Sequence, residues 1–471
     1  MTPPPASDVV SPSPASAAAD ATRGSAIKLG TELLARLVGL LTTLLLARQL
    51  GAADFGLFGR LSVIAVVLAE AADLGLQGTA SRALVAGTIS IRAMTRAKLV
   101  LTALVAGLAG AGLPVAPVLC PLVLFFVAAG WSEFLGVALR ARGDRGLESA
   151  VIFCLRLVGL LLVGAALLQG AGLVGVAWAH AASPLPAILL GLVLLRRKAS
   201  PAVPADPPLA AILRESAPLA VNGGLALLSL RVEFLVLSFV RGGRETGLFL
   251  AALRVVEFLN LVPSAVVAGA MPALTREAIR GEGPVRARSA ATLAFLAVPA
   301  ACGLALVAPG LLGFLFGSAS VAAAPSLRWL AAALVPLFLN GLVVGALIAA
   351  GHARRLPPLT VVRVAAATAL AFVLVPSLGA AGAAVGFLAS ELLLLVLGLR
   401  ACRVAAFPIG IAGPVGRAIV ATLPMVVAVS LAQSLPVAIG AGLVAYGGTL
   451  ALLGRLRPAF VRDLVDVRYP S

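Results

Sequence analysis

Six arginines fall inside stretches otherwise apolar enough to be membrane helices: Arg36, Arg60, Arg156, Arg231, Arg254 and Arg363. Seven acids share that setting, namely Glu32, Glu70, Asp73, Glu133, Glu233, Glu257 and Glu391. A charge near the centre of a membrane helix costs about 2.5–3.5 kcal/mol on insertion scales, so most of these groups must face a bundle interior or a wet cavity. Some can pair. Glu32 and Arg36 are four apart and Arg254 and Glu257 three apart, spacings that share a helix face. Arg60, Glu133 and Asp73 lie close enough to predicted helix ends to reach the interface. Arg36 and Arg231 lie deep in their predicted helices, and Arg156 and Arg363 nearer the cytoplasmic side. With Arg254 these four form the candidate binding set. A guanidinium grips phosphate through two parallel hydrogen bonds, so a cavity lined this way suits a phosphate-bearing anion. Glu32, Glu70, Glu257 and Glu391 are the candidates for a coupling proton or sodium ion.

What the sequence lacks narrows the chemistry. It contains no G-x-x-x-x-G-K-[ST] phosphate loop to drive transport with ATP. His180 and His352 are too far apart for a helical zinc pair, and Cys120, Cys154, Cys302 and Cys402 show no metal-ligand spacing. No large polar segment on the outer side could house catalytic carboxylates, which speaks against a membrane glycosyltransferase or polymerase. No cofactor, no metal and no enzymatic activity are expected.

The elements that carry these residues follow from composition. Of 471 residues 61% are hydrophobic and 12% charged, against the roughly 25% charged of a soluble domain. Mean hydropathy is +1.09. The net charge of +17 does not indicate nucleic acid, because many of the arginines sit in short loops between apolar runs and none form a stripe with exposed aromatics. Runs of about 20 apolar residues predict fourteen transmembrane helices. They fall near 26–47, 55–76, 96–113, 117–139, 150–168, 174–195, 218–240, 247–270, 289–308, 323–350, 357–376, 380–400, 413–433 and 435–453. Basic residues collect after the even-numbered helices, which places both termini in the cytoplasm. The expected organisation is a disordered cytoplasmic tail (1–24), a six-helix bundle (25–195), a cytoplasmic linker (196–217), and a second six-helix bundle (218–403). Two extra transmembrane helices (404–454) and a cytoplasmic tail (455–471) complete it.

The two bundles repeat each other. Residues 155–183 align without a gap on 362–390, superposing Arg156 on Arg363, Gly172 on Gly379, Gly175 on Gly382 and Ser183 on Ser390. Gly56-Leu57-Phe58 recurs as Gly247-Leu248-Phe249, at an offset of 191. That offset carries Arg36 to within one helical turn of Arg231. Six helices is an even number, so the halves are parallel repeats.

These segments resemble a known family. Residues 31–82, with Ala47-Arg48, Leu50-Gly51, Phe55-Gly56, Asp73-Leu74-Gly75-Leu76 and Arg82, are similar to the start of the polysaccharide flippases. These flippases, for O-antigen or other lipid-linked oligosaccharides, belong to the multidrug/oligosaccharidyl-lipid/polysaccharide exporter superfamily. Residues 311–355 and 378–391 extend the similarity, so together the matches touch most of 26–400. The resemblance implies an all-α membrane protein, with two pseudo-symmetric six-helix bundles around a central cavity plus two C-terminal helices. It implies export of a polyprenyl-diphosphate-linked oligosaccharide to the outer leaflet of a bacterial cytoplasmic (inner) membrane, by alternating access. Membrane lipids, a polysaccharide polymerase and chain-length machinery are the implied partners. A drug or metabolite exporter and a peptidoglycan-precursor flippase are the rival readings.

Overall fold

A computed structural model of the protein describes residues 14–142, 145–196, 206–229, 231–280 and 284–456. Every regular element among them is a helix. Eleven stretches are long and apolar enough to cross a membrane. Two of these, Leu34–Glu70 and Ala353–Val404, are each two helices meeting at a single non-helical residue, Gly51 and Gly379. Leu209–Ser229 and Val232–Val240 add one more, which brings the fold to the fourteen helices expected of this all-α membrane protein.

The boundaries differ from expectation where proline or alanine intervenes. Helix Pro14–Asp73 begins inside the tail expected to be disordered, in an Ala-rich stretch of high helix propensity; residues 1–13 lie outside the described residues. So do 197–205 of the expected linker and 457–471 of the expected C-terminal tail. Four expected single helices are split. Gly172–Ala182 and Pro184–Arg196 part before Pro186, and Ala324–Ala332 and Leu334–Ala349 part before Pro336. Gly243–Leu259 and Leu261–Arg280 part before Pro263. In each case the proline has no N–H for the carbonyl four residues earlier. The fourth split, at Arg231, has no proline and is taken up with the site below.

By packing, the chain divides into two compact units, one of residues 1–42 and 68–220, the other of 43–67 and 221–471. In the first unit, Leu119–Ala141 is the central helix. It packs on Leu76–Ala86, Ile91–Gly112, Arg145–Leu168, Gly172–Ala182 and Pro184–Arg196. Met94, Phe134, Leu135 and Ile212 fill its core. Asp206 ties the far end of the linker to this unit: its carboxylate accepts from the Ser90 N–H (2.9 Å) and Oγ (2.6 Å), while Ser90 caps helix Ile91–Gly112. Those two hydrogen bonds hold the Asp206 carboxyl below the usual carboxylate range. In the second unit Val285–Phe316 packs on Ala412–Ser430 and Leu334–Ala349. Leu356–Val404 packs on Val232–Val240, Ala324–Ala332 and Leu334–Ala349.

The backbone repeats as the sequence does. Gly172 and Gly379, superposed by the 207-residue offset, both have positive φ (61° and 57°). Gly51 and Gly242, related by the 191-residue offset, do too (73° and 84°). Such conformations are cheap only for glycine. Just beyond the second pair, two helix turns touch backbone to backbone. A Cβ on Gly56 would fall on the Gly243 carbonyl oxygen, and a Cβ on Gly247 on that of Ala52. Since Gly56 corresponds to Gly247 and Ala52 to Gly243, the contact is reciprocal. Neither carbonyl can withdraw without unwinding its helix. Gly247→Val is therefore expected to lose at least about 1–3 kcal/mol, the scale of overpacking. Gly107→Ala, where an added Cβ meets nothing within 4 Å, should stabilise by about 0.5–1 kcal/mol. Unfolding curves in detergent check both.

Candidate functional site

The charged residues inside the helices sort into three groups with different environments. The first lies in the second unit, where the chain leaves helical geometry at Arg231 (φ −130°, ψ −4°) between Leu209–Ser229 and Val232–Val240. The break turns Arg231 toward helix Gly243–Leu259, and its Nη1 lies 2.8 Å from Glu257 Oε1. The other oxygen of that carboxylate, Oε2, accepts from Arg254 Nη1 at 2.7 Å. One carboxylate thus separates two guanidinium groups, and the cluster carries one net positive charge. It is partly open, with side-chain exposures of 20% for Arg231 and 32% for both Arg254 and Glu257. Arg254 Nε has no hydrogen-bond partner among the described residues, and Arg231 Nη1 makes its ion pair without hydrogen-bond alignment. Both atoms are buried, and what an anion would meet is the net positive charge on the partly exposed side of the cluster.

The second group lies in the first unit. Arg36 and Arg156 are both exposed. Arg156 runs beside the N-terminal helix: its Cδ lies 3.9 Å from where a Cβ of Gly39 would stand. Gly39 is three residues after Arg36, on the same helix face. The candidate arginines thus divide as Arg36 and Arg156 in the first unit and Arg231, Arg254 and Arg363 in the second.

The third group is closed. Arg363 is 2% exposed, with Nη2 2.8 Å from Glu391 Oε1 and 3.9 Å from Glu233 Oε1. Glu391 Oε2 accepts from Asn340 Nδ2 at 2.7 Å, and Ser390 Oγ donates to Glu233 Oε1 at 3.2 Å. Arg363 was expected beside the other candidate arginines, and here its charge is spent on two buried carboxylates. The repeat shows how the copies diverged. Offsets of 191 and 207 place Thr42 opposite Glu233 and Pro184 opposite Glu391. Arg156, the counterpart of Arg363, is exposed.

The ion-coupling candidates scatter. Glu257 lies between two arginines, Glu391 in the closed triad, and Glu70 is exposed. The side chain of Glu32 lies outside the described residues. Asp73, expected near an interface, instead pairs with buried Lys98 at 2.5 Å, and Lys98 also lies 5.8 Å from the Trp131 ring centroid. The Asp73-Leu74-Gly75-Leu76 segment is a helix restart. Leu74 and Gly75 both have positive φ, and the Asp73 carboxylate accepts from the Gln77 N–H at 2.9 Å. Sequence reasoning missed Asn340, whose one signal was an amide in an otherwise apolar helix.

No family model and no curated protein sequence matches the chain. Solved structures do. A structure of the lipid II flippase MurJ in an inward closed conformation superposes with a TM-score of 0.75. The two are 12% identical, and the match covers 91% of this chain and 98% of that one. An inward-facing multidrug resistance MATE family transporter of the MOP superfamily gives 0.64 at 15% identity, covering 81% and 97%. The chain has the MurJ and MATE fold. A third neighbour is a MOP superfamily transporter from Pyrococcus furiosus Vc1 whose binding pocket is described as having reversed polarity. It gives 0.55 at 18% identity, over 81% of this chain and 93% of that one. At such identities the likeness is one of fold, and the chemistry must come from this chain's own residues.

Proposed function

We propose that this protein is a flippase, moving a polyprenyl-diphosphate-linked oligosaccharide from the cytoplasmic to the outer leaflet for cell-surface polysaccharide synthesis. The observation that carries the reading is the Arg231–Glu257–Arg254 cluster. Two guanidinium groups held by one carboxylate leave a net positive charge in a partly open position, an arrangement suited to a phosphate. Arg36 and Arg156 offer a second basic surface. The lipid tails stay in the bilayer, and the protein provides the polar passage for the headgroup. Basic loops following the even-numbered helices support cytoplasmic termini in a bacterial cytoplasmic membrane. A cationic drug would meet like charge in this cluster, which weighs against a drug exporter.

The TM-score with MurJ favours a second, narrower reading, export of a peptidoglycan precursor. Both substrates are lipid-linked anions, and transfer across proteoliposomes separates them. Fluorescent polyprenyl-diphosphate oligosaccharide is expected to cross, with lipid II slower and a cationic dye not at all. Faster transfer of lipid II selects the second reading, and dye transport without lipid transfer rejects both. Moving two negative charges outward runs with an inside-negative potential, at about 2.3 kcal/mol per charge per 100 mV. Collapsing the potential should therefore slow transfer, and transfer indifferent to it would refute that driving force.

A further inference from the structure

Three helices of the second unit end on one side. Leu261–Arg280 runs parallel to Leu334–Ala349: a Cβ on Gly341 would stand 3.6 Å from Pro263, and one on Gly345 2.6 Å from Val267. Leu334–Ala349 in turn runs parallel to the helix that follows Gly379. Asn340 donates to Glu391, and a Cβ on Gly398 would stand 2.6 Å from Val343. Two arginines bind these ends into one surface. Arg355 Nη1 donates to the Ala401 carbonyl at 3.2 Å. Arg286 pairs through Nε with Glu277 at 2.5 Å, donates from Nη1 to the Pro408 carbonyl at 3.2 Å, and lies 3.9 Å from the Phe407 ring centroid. The same loop turns at Ala406 (φ 54°), where the Phe407 N–H closes the helix on the Cys402 carbonyl at 2.9 Å. A residue with a Cβ keeps that conformation only where its surroundings hold it.

What this surface turns outward is charge of one sign. Arg276, Arg280, Arg288, Arg354, Arg400 and Arg403 are all exposed. Among the described residues of 261–290, 350–355 and 398–411 the one carboxylate is Glu277, which is 3% exposed and taken by Arg286. Apolar side chains stand among the arginines. Ile279, next to Arg280, is 80% exposed, and Val404, next to Arg403, is 73% exposed. Membrane orientation asks for basic loops. It does not ask that they be joined, nor that isoleucine and valine be left open between them. The basic segments of the first unit are more nearly balanced: Arg140 lies 3.6 Å from Glu148, and the exposed Asp206 feels the charge of Arg96.

We propose that this face is a docking surface for anionic phospholipids of the leaflet it meets. The arginines hold the phosphates, which guanidinium groups match in charge and shape, and basic clusters at helix ends draw such headgroups. Ile279 and Val404 enter the acyl boundary. The occupant is a lipid and not a soluble partner, because at helix ends the bilayer itself supplies both phosphate and hydrocarbon. The surface shares no residue with the Arg231–Glu257–Arg254 cluster, and either can fail alone.

Lipid titration of the full chain in detergent tests this, with bound lipid counted by native mass spectrometry. Phosphatidylglycerol is expected to bind ahead of phosphatidylcholine. Arg280→Gln/Arg400→Gln/Arg403→Gln should weaken its binding by about fivefold for each arginine removed, and so by about a hundredfold for the three. Arg82→Gln/Arg92→Gln/Arg96→Gln takes the same charge from the first unit and should leave it unchanged, as should Arg231→Gln/Arg254→Gln. Photoactivatable phosphatidylglycerol on wild type decides without any variant: crosslinks are expected in 276–288, 353–355 or 400–408. Crosslinks confined to other segments overturn the proposal. So do equal binding of phosphatidylcholine, and a triple variant of this face that binds as wild type or no worse than the first-unit variant. Loss in Arg231→Gln/Arg254→Gln would move the phospholipid to the other cluster, and displacement by equimolar glycerol 3-phosphate would make this a site for free phosphate esters. Either result also overturns it.

Discussion

Arg363→Ala is expected to destabilise the protein by about 3–5 kcal/mol, the cost of removing one partner from a buried ion pair. Its repeat counterpart, Arg156→Ala, should cost clearly less, because the Arg156 side chain is exposed and ion pairs of exposed groups contribute little. The two arginines occupy equivalent places in a duplicated sequence, so the contrast comes from their surroundings. Arg363 is enclosed by Glu233, Glu391 and, at 5.5 Å, the Phe387 ring. Arg156 lies exposed beside Gly39. Chemical denaturation of the two variants in the same detergent checks the difference. Equal losses would mean that the repeats have not diverged in the way the packing indicates.

Arg231→Gln and Arg254→Gln should each weaken the hold on a diphosphate headgroup by about tenfold to a hundredfold, since a hydrogen bond to a charged group contributes about 1.5–3 kcal/mol. The double variant leaves Glu257 unpaired and reverses the local charge, so it should lose more than either alone. Stability should move far less than in Arg363→Ala, because both guanidinium groups are partly solvated and ion pairs in that setting contribute little. Binding and folding thereby separate along the same list of membrane arginines.

Much of this architecture is legible in the sequence. Apolar runs and loop charge fix the number of helices, because lipid leaves few alternatives for a run of 20 apolar residues. The repeat predicts equivalent backbone, and the paired positive-φ glycines carry it out. The breaks within helices are less legible. Pro186, Pro263 and Pro336 were visible, yet proline is tolerated in membrane helices and does not by itself announce a split. The site was legible in part. Arg254 and Glu257 pair by spacing alone, but bringing Arg231 to the same carboxylate needs a helix break that hydropathy does not reveal. The triad joins residues from three helices, Val232–Val240 and the two that meet at Gly379. Its one trace in the sequence is that the counterparts of Glu233 and Glu391 are Thr42 and Pro184, so the acids arrived in one repeat only. Arg363 looked like a ligand for an external anion because its internal anions are distant along the chain.

The central claim is that the partly open arginine pair holds a diphosphate-linked lipid, and equilibrium binding by native mass spectrometry tests it most directly. Polyprenyl diphosphate, polyprenyl monophosphate and the neutral polyprenol would be titrated against wild type and Arg231→Gln/Arg254→Gln. The expected result is preferential binding of the diphosphate to wild type, with that preference abolished in the double variant and the neutral lipid bound equally by both. Undiminished diphosphate preference in the double variant would contradict the account and move the anion site elsewhere.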